Sequence, residues 1–188
     1  MDVVVESLRD RLVSAGAEML ETVGAAQLGL RAIAREAGVS HGAPRRYFPT
    51  HNSLLAAIAA RGYLDLQAEF DALQADSPRA RLELTGLAYV DFAVRRREMF
   101  TLMFRHDLLE GAGENLRETI TRPMFRSWRA LVAECAADPH GERALSLWTN
   151  LHGIAVVVAT RSIEAIAPGT DTRRLVVGAV AQYLGSPA

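Results

Sequence analysis

Lysine is absent from this sequence, so all 21 of its basic side chains are arginine. Those arginines face 22 acids and leave a net charge of −1. A general polyanion binder neutralises phosphates with an excess of cations, and this chain has none. Cysteine is nearly absent too: Cys135 stands alone and can close no intramolecular disulfide. The five histidines, His41, His51, His106, His140 and His152, form no pair at metal-ligand spacing, so no metal and no cofactor is expected. Long apolar runs are missing. The longest, Gly153 to Ala159, is about seven residues against the roughly 18 to 20 that cross a membrane, so no membrane partner is expected. The opening Met1-Asp2-Val3-Val4-Val5-Glu6 has neither the basic flank nor the apolar stretch of a secretory signal, and the expected location is cytoplasmic. Alternating, strand-like patterns are scarce as well, since even Val156-Val157-Val158 lies inside a helical repeat.

What is present is helix. With 49% apolar residues over 188 positions the chain can bury a substantial core. Leu8, Leu12, Ala15, Met19 and Val23 recur at helical spacing and Gly24 stops them. A short helix over 30–37 ends at Gly38-Val39-Ser40, and Ser40 is expected to cap a second short helix with its hydroxyl. Pro49-Thr50-His51-Asn52 breaks the chain before a helix that runs to about Gln74. Beyond Asp76-Ser77-Pro78 the spacing predicts helices over 79–97, 98–105, 114–137 (interrupted by Pro123), 142–166 and 171–184. Gly111-Ala112-Gly113 and Asp138-Pro139-His140-Gly141 are the loops.

The stretch Leu30 to Phe48 has helix-turn-helix spacing. Ala34 is small where a second helix crosses closely, Gly38 can take the positive φ that a short turn demands, and Ile33, Val39 and Tyr47 fix the crossing. Charge agrees with this, because Arg31, Arg35, Arg45 and Arg46, with His41 and His51, meet a single acid, Glu36. Such a local basic face on a nearly neutral chain can meet phosphates while side chains read base edges.

The run from Ile33 through Ala37-Gly38-Val39-Ser40-His41-Gly42-Ala43 to Tyr47-Phe48 and Leu54-Leu55 resembles the tetracycline-repressor (TetR) family of bacterial regulators. The resemblance implies an all-α fold: an N-terminal three-helix helix-turn-helix domain, then a C-terminal helical bundle for regulation and dimerisation. It also implies a non-enzymatic, ligand-responsive repressor that binds a palindromic duplex operator as a homodimer. The implied DNA-binding residues are Gly29, Arg31, Ser40, His41, Gly42, Ala43, Arg45, Arg46, Tyr47, Phe48 and His51. Arg45 stands where the family usually has a phosphate-contacting Tyr, His51 where it has Lys, and Leu28-Gly29 where it has Thr-Thr. Ala88 to Ala93, Met99-Phe100, Leu102 to Phe104, and Trp148 with His152 and Gly153 resemble a subgroup marked by a Trp, His, Gly signature.

Tyr89, Phe92, Met99, Phe100, Met103 and Phe104 make a Met and aromatic stripe that is either solid core or the wall of a cavity. His152 beside Trp148 is likewise a core histidine or a ligand contact. The resemblance points to a small, mostly apolar effector held by that stripe with Phe125, Trp128, Trp148 and His152. The helices over 142–166 and 171–184 are apolar nearly all round, so one side can meet a partner subunit. Ala155, Ala159, Val176, Val180, Tyr183 and Leu184 are the expected dimerisation residues. The domains expected are 1–49 for DNA, 50–77 as connector, and 78–188 for effector and dimer.

Two other classes compete with this reading. Gly38-Val39-Ser40-His41-Gly42 fits the Gly-x-Ser-x-Gly nucleophile elbow of a small cytosolic enzyme, but an elbow needs a preceding strand, and this one follows helical spacing. A helical adaptor that binds protein is the other.

Overall fold

The computed structural model describes residues 7–112 and 115–185, all helix and loop with no strand among them. Gly113, the expected helix start at Glu114, and the segment Met1 to Glu6 lie outside the described residues. Ten α-helices follow in order: α1 Leu8–Val23, α2 Leu30–Glu36, α3 His51–Ala72, α4 Pro78–Arg95, α5 Arg97–Met103, α6 His106–Leu109, α7 Arg122–Cys135, α8 Glu142–Ala159, α9 Ser162–Ile166 and α10 Thr172–Leu184. A 3₁₀ turn, Pro44–Arg46, stands between α2 and α3, and a π-helical turn, Arg117–Thr121, leads into α7.

Local chemistry sets most of these bounds. The Ser7 hydroxyl accepts the Asp10 N–H at 3.1 Å, and Ser77 accepts that of Ala80 at 3.2 Å, so each starts a helix with a side-chain cap. Asp171 caps α10 in the same way, accepting from Arg173 at 2.9 Å. α8 begins differently. Asp138, four residues upstream, folds back so that its carboxylate takes the N–H groups of Arg143 and Ala144 at 3.1 and 3.0 Å. Pro123 lies in the first turn of α7, where a missing N–H costs nothing, rather than interrupting a longer helix. The helix expected over 142–166 breaks in two, because Arg161 adopts a left-handed backbone at φ 58° between α8 and α9.

The chain forms two compact units, one of residues up to 64 together with 98–120, the other of 65–97 together with 121 onward. In the first, Leu12, Leu20, Leu28, Ile33, Phe48, Leu54, Ile58, Met99 and Leu102 make the core. The Tyr63 hydroxyl, buried there, donates to the Met103 carbonyl at 2.6 Å, and burial pushes its pKa far above the usual phenolic value. Glu21 on α1 accepts from the N–H groups of Glu98 and Met99 at 3.1 and 3.2 Å, closing the start of α5.

In the second unit α4 packs on α7, α8 and α10. The approach is close at Gly86, where a Cβ would stand 2.9 Å from Val176 Cγ1 and 3.4 Å from Leu151 Cδ1 and Cδ2. Leu82, Phe92, Val132, Ala144, Leu147, Leu151, Ala155, Val176 and Val180 fill the interior. Arg81 donates to the carbonyls of Phe70 and Leu73, tying the end of α3 to α4, and Arg95 bridges Asp91 and Glu69 at 2.6 and 2.8 Å. The arginine run at 95–97 is therefore an ion-paired helix end.

Candidate nucleic-acid interface and effector site

α2 closes by a Schellman arrangement. The N–H of Gly38 donates to the Arg35 carbonyl at 3.1 Å and that of Val39 to the Ala34 carbonyl at 2.9 Å. Gly38 itself sits at φ 67°, where a side chain would be strained. The chain then continues as a turn, in which Ala43 N–H donates to the Ser40 carbonyl at 3.0 Å and Phe48 N–H to the Pro44 carbonyl at 2.8 Å. The second helix of the motif is thus one 3₁₀ turn, shorter than its spacing predicts. Pro44 has no N–H to send back to Ser40, and Gly42 just before it is a poor helix former. The expected cap at Ser40 is corrected by the same geometry, because Ala43 occupies the capping position and the turn has no side-chain cap. Ser40→Ala should therefore change the unfolding free energy by less than about 0.5 kcal/mol, the ordinary surface range. Denaturant titration checks this, and a loss near the ~1 kcal/mol of a true cap would contradict it.

Arg31, Ser40, His41, Gly42, Arg45 and Arg46 are exposed, Tyr47 is 45% exposed, and Gly29, Ala43 and His51 are half-buried. Phe48 is buried at 1% exposure, with the Arg9 guanidinium 5.5 Å above its ring, so it anchors the turn from within. No acidic residue occurs from Ala37 to Leu64, and the turn places Arg45 and Arg46 side by side on its open surface. The arrangement can hold phosphates through charge and offer Ser40, His41 and Tyr47 to bases. Ser40 follows a helix, so the elbow geometry of a hydrolase is not formed.

The expected effector residues fall into both units. Met99, Phe100, Met103 and Phe104 belong to the first, where the Phe104 ring meets Phe100 at 5.0 Å and Tyr63 at 6.2 Å. Tyr89, Phe92, Phe125, Trp128, Trp148 and His152 belong to the second. There the Tyr89 hydroxyl and His152 Nδ1 share a hydrogen bond at 2.8 Å, and Trp148 stacks on the His152 ring at 5.3 Å. Phe125 meets Trp148 edge-on at 6.4 Å, and Trp128 Nε1 donates to the Ala144 carbonyl at 2.8 Å. Phe92 is fully buried, whereas Phe125, Trp128, Trp148 and His152 are half-exposed.

Burial holds the His152 pKa below the usual 6.5. The unfolded chain therefore takes up this proton first as pH falls, and the stability, complete above about pH 6.5, is lost progressively below it. His152→Asn should flatten that dependence between about pH 7.5 and about pH 5.5 in thermal melts. An unchanged slope in the variant would assign the loss to other groups.

Of the expected dimer residues, Ala155, Val176 and Val180 are fully enclosed within the chain itself and Ala159 nearly so, while Tyr183 and Leu184 are half-buried. The same two helices carry a separate open face. On α8 it holds Leu145, Thr149, Gly153 and Val156, and on α10 Gly178 and Gln182. A Cβ on Gly153 or Gly178 would meet nothing within 4 Å.

Residues 12–58 match the family model described as bacterial regulatory proteins of the tetR family, and residues 82–183 match that of the tetracyclin repressor-like C-terminal domain. The second match alone spans more than half of the chain. The chain belongs to the tetracycline-repressor family. It is accordingly a DNA-binding transcriptional regulator and not an enzyme. A Rhodococcus sp. RHA1 protein of unknown function is similar over 98% of this TetR-family chain and 97% of its own, at 29% identity and TM-score 0.80. A TetR transcriptional regulator of Streptomyces coelicolor is similar in fold at 20% identity, covering 94% and 95% of the two chains, with TM-score 0.70. A TetR-family regulator of Vibrio parahaemolyticus covers 95% and 98% at 19% identity and TM-score 0.71. The curated proteins searched contain no match. No helix among the described residues is long and apolar enough to cross a membrane.

Proposed function

We propose that this TetR-family chain is a ligand-responsive cytoplasmic repressor that binds a palindromic operator as a homodimer, within the subgroup marked by Trp148, His152 and Gly153. The observation that supports it most directly is the acid-free turn presenting Arg45, Arg46 and Tyr47 after the Gly38 closure. Residues 1–49 serve DNA, 50–77 connect, and 78–188 serve the effector and the dimer. The effector is small and mostly apolar and is held by the half-exposed group of Phe125, Trp148 and His152, with Tyr89 supplying a hydroxyl. Its release of DNA requires preferential binding to the DNA-incompetent arrangement, since a compound that binds both arrangements equally shifts nothing. The dimer uses the open faces of α8 and α10. Glycine inside a helix costs about 1 kcal/mol relative to alanine, and Gly153 and Gly178 have no neighbour within the chain that requires them. Close approach of a second copy supplies the reason.

The test is selection of duplexes from a randomised library by the intact chain, followed by titration over a range of salt. The selected sequences should be inverted repeats. Arg45→Ala and Arg46→Ala should each reduce the slope of log affinity against log salt by about 0.9, the signature of one lost phosphate contact. Wild-type slopes in both variants, or selected sites without two-fold symmetry, would overturn the assignment.

A further inference from the structure

We propose that Arg11, on α1 and outside the helix-turn-helix, is a positioning residue for operator recognition that holds the recognition turn from behind. The inference rests on the reading that residues 38–48 meet DNA. The Schellman closure of α2 satisfies the carbonyls of Ala34 and Arg35 but leaves that of Ala37, the last before Gly38, pointing past the helix end. The Arg11 guanidinium reaches across 26 positions of sequence and donates to this carbonyl from Nη2 at 2.6 Å, a charge-assisted bond at the negative end of a helix. Arg11 thus fixes the point at which the chain leaves α2. Two residues earlier on the same helix, Arg9 lies over the ring of Phe48, the point at which the turn ends. α1 therefore holds both ends of the segment.

That segment needs holding. Its backbone closes only through short-range bonds, Ala43 to Ser40, Arg46 to Ala43, and Tyr47 and Phe48 to Pro44, with no full helix to keep its direction. Base edges are read only when side chains stand within about 0.5 Å of their productive positions, whereas phosphate contact tolerates looser geometry. Loss of Arg11 should accordingly weaken binding to a cognate duplex more than to an arbitrary one.

The experiment uses Arg11→Met, which keeps the stem and removes the donor, and Arg11→Lys, which restores one. The probes are a duplex selected by the wild-type chain and a scrambled duplex of the same composition. Arg11→Met should lose about tenfold on the selected duplex and less than twofold on the scrambled one, with the salt slope unchanged; Arg11→Lys should recover to within about threefold. Hydrogen exchange of the DNA-free chain should accelerate over 38–48 in Arg11→Met and stay at wild-type rates in the rest of α1. A slope reduced by about 0.9 would make Arg11 a phosphate contact and overturn the proposal. Wild-type affinity for the selected duplex, equal losses on both duplexes, equal losses in Met and Lys variants, or unchanged exchange over 38–48 would overturn it too. Exchange needs no DNA, so it judges the brace even if the wild-type chain selects no duplex, an outcome that would count against the operator reading instead.

Discussion

Arginine in place of Val156 is expected to yield a folded monomer that has lost operator binding. Val156 is 39% exposed on the open face of α8, one turn from Gly153 and on the same side as Leu145, itself 50% exposed. An isolated chain accepts arginine there readily, because the position faces water and arginine is a good helix former. In a two-fold dimer the same substitution acts twice, burying an unpaired cation on each side of a self-complementary contact. The penalty for such a charge is about 3–5 kcal/mol, which weakens association by about 10²- to 10³-fold. Operator affinity should fall by about 10²- to 10⁴-fold as well, since the second half-site is then bound without the advantage of linkage. Sedimentation and DNA titration on the same samples measure both effects. A Val156→Arg chain that remains dimeric would move the interface off this face, and a wild-type monomer at micromolar concentration would remove it altogether.

Phe92→Ala is expected to destabilise the chain by about 3–5 kcal/mol, a large part of the 5–15 kcal/mol that holds a typical domain folded. Phe92 is fully buried on α4, in the unit where that helix meets α7, α8 and α10. Truncation removes the ring's transfer energy and leaves a void that close-packed helices cannot collapse to fill. Denaturant unfolding gives the number. A loss below about 2 kcal/mol would mean that the ring already faces a void, and would make Phe92 a cavity wall rather than core. Phe125, half-exposed against Trp148, should be the contrasting case: its alanine variant loses less stability and more effector affinity.

What could be read from the sequence was whatever is decided within a turn or two of chain. Helical spacing in α1 and α3, the glycine at 38, and the proline at the head of α4 each act on near neighbours, and the structure has them where the pattern puts them. The recognition helix was overestimated because apolar spacing carried more weight than Gly42 and Pro44, which together deny the turn its backbone bonds. The break at Arg161 has no glycine or proline to announce it. In α8 and α10 periodicity marked apolar residues on all sides but could not say which side their own chain would cover. Val176 and Val180 proved to be interior, while Gly153 and Gly178, easily passed over as weak helix formers, lie open. Arg11 and Glu21 left no local sign at all, since their acceptor and donors are 26 and 77 to 78 positions away.

Both tryptophans of the chain, Trp128 and Trp148, belong to the unit of 65–97 and 121 onward, while the unit that carries the recognition turn has only tyrosine and phenylalanine. Light at the red edge of the aromatic absorption band is thus taken up by one unit alone. Its emission is blind to Tyr47 and to any base stacked against it. A shift in that emission on adding duplex DNA would have to originate around the stacked Trp148 and His152 pair, and would register a rearrangement relayed through the protein. Steady emission throughout a complete DNA titration would mean that the operator docks without disturbing this pair. The native chain therefore carries its own optical separation of contact from communication, with no label to attach.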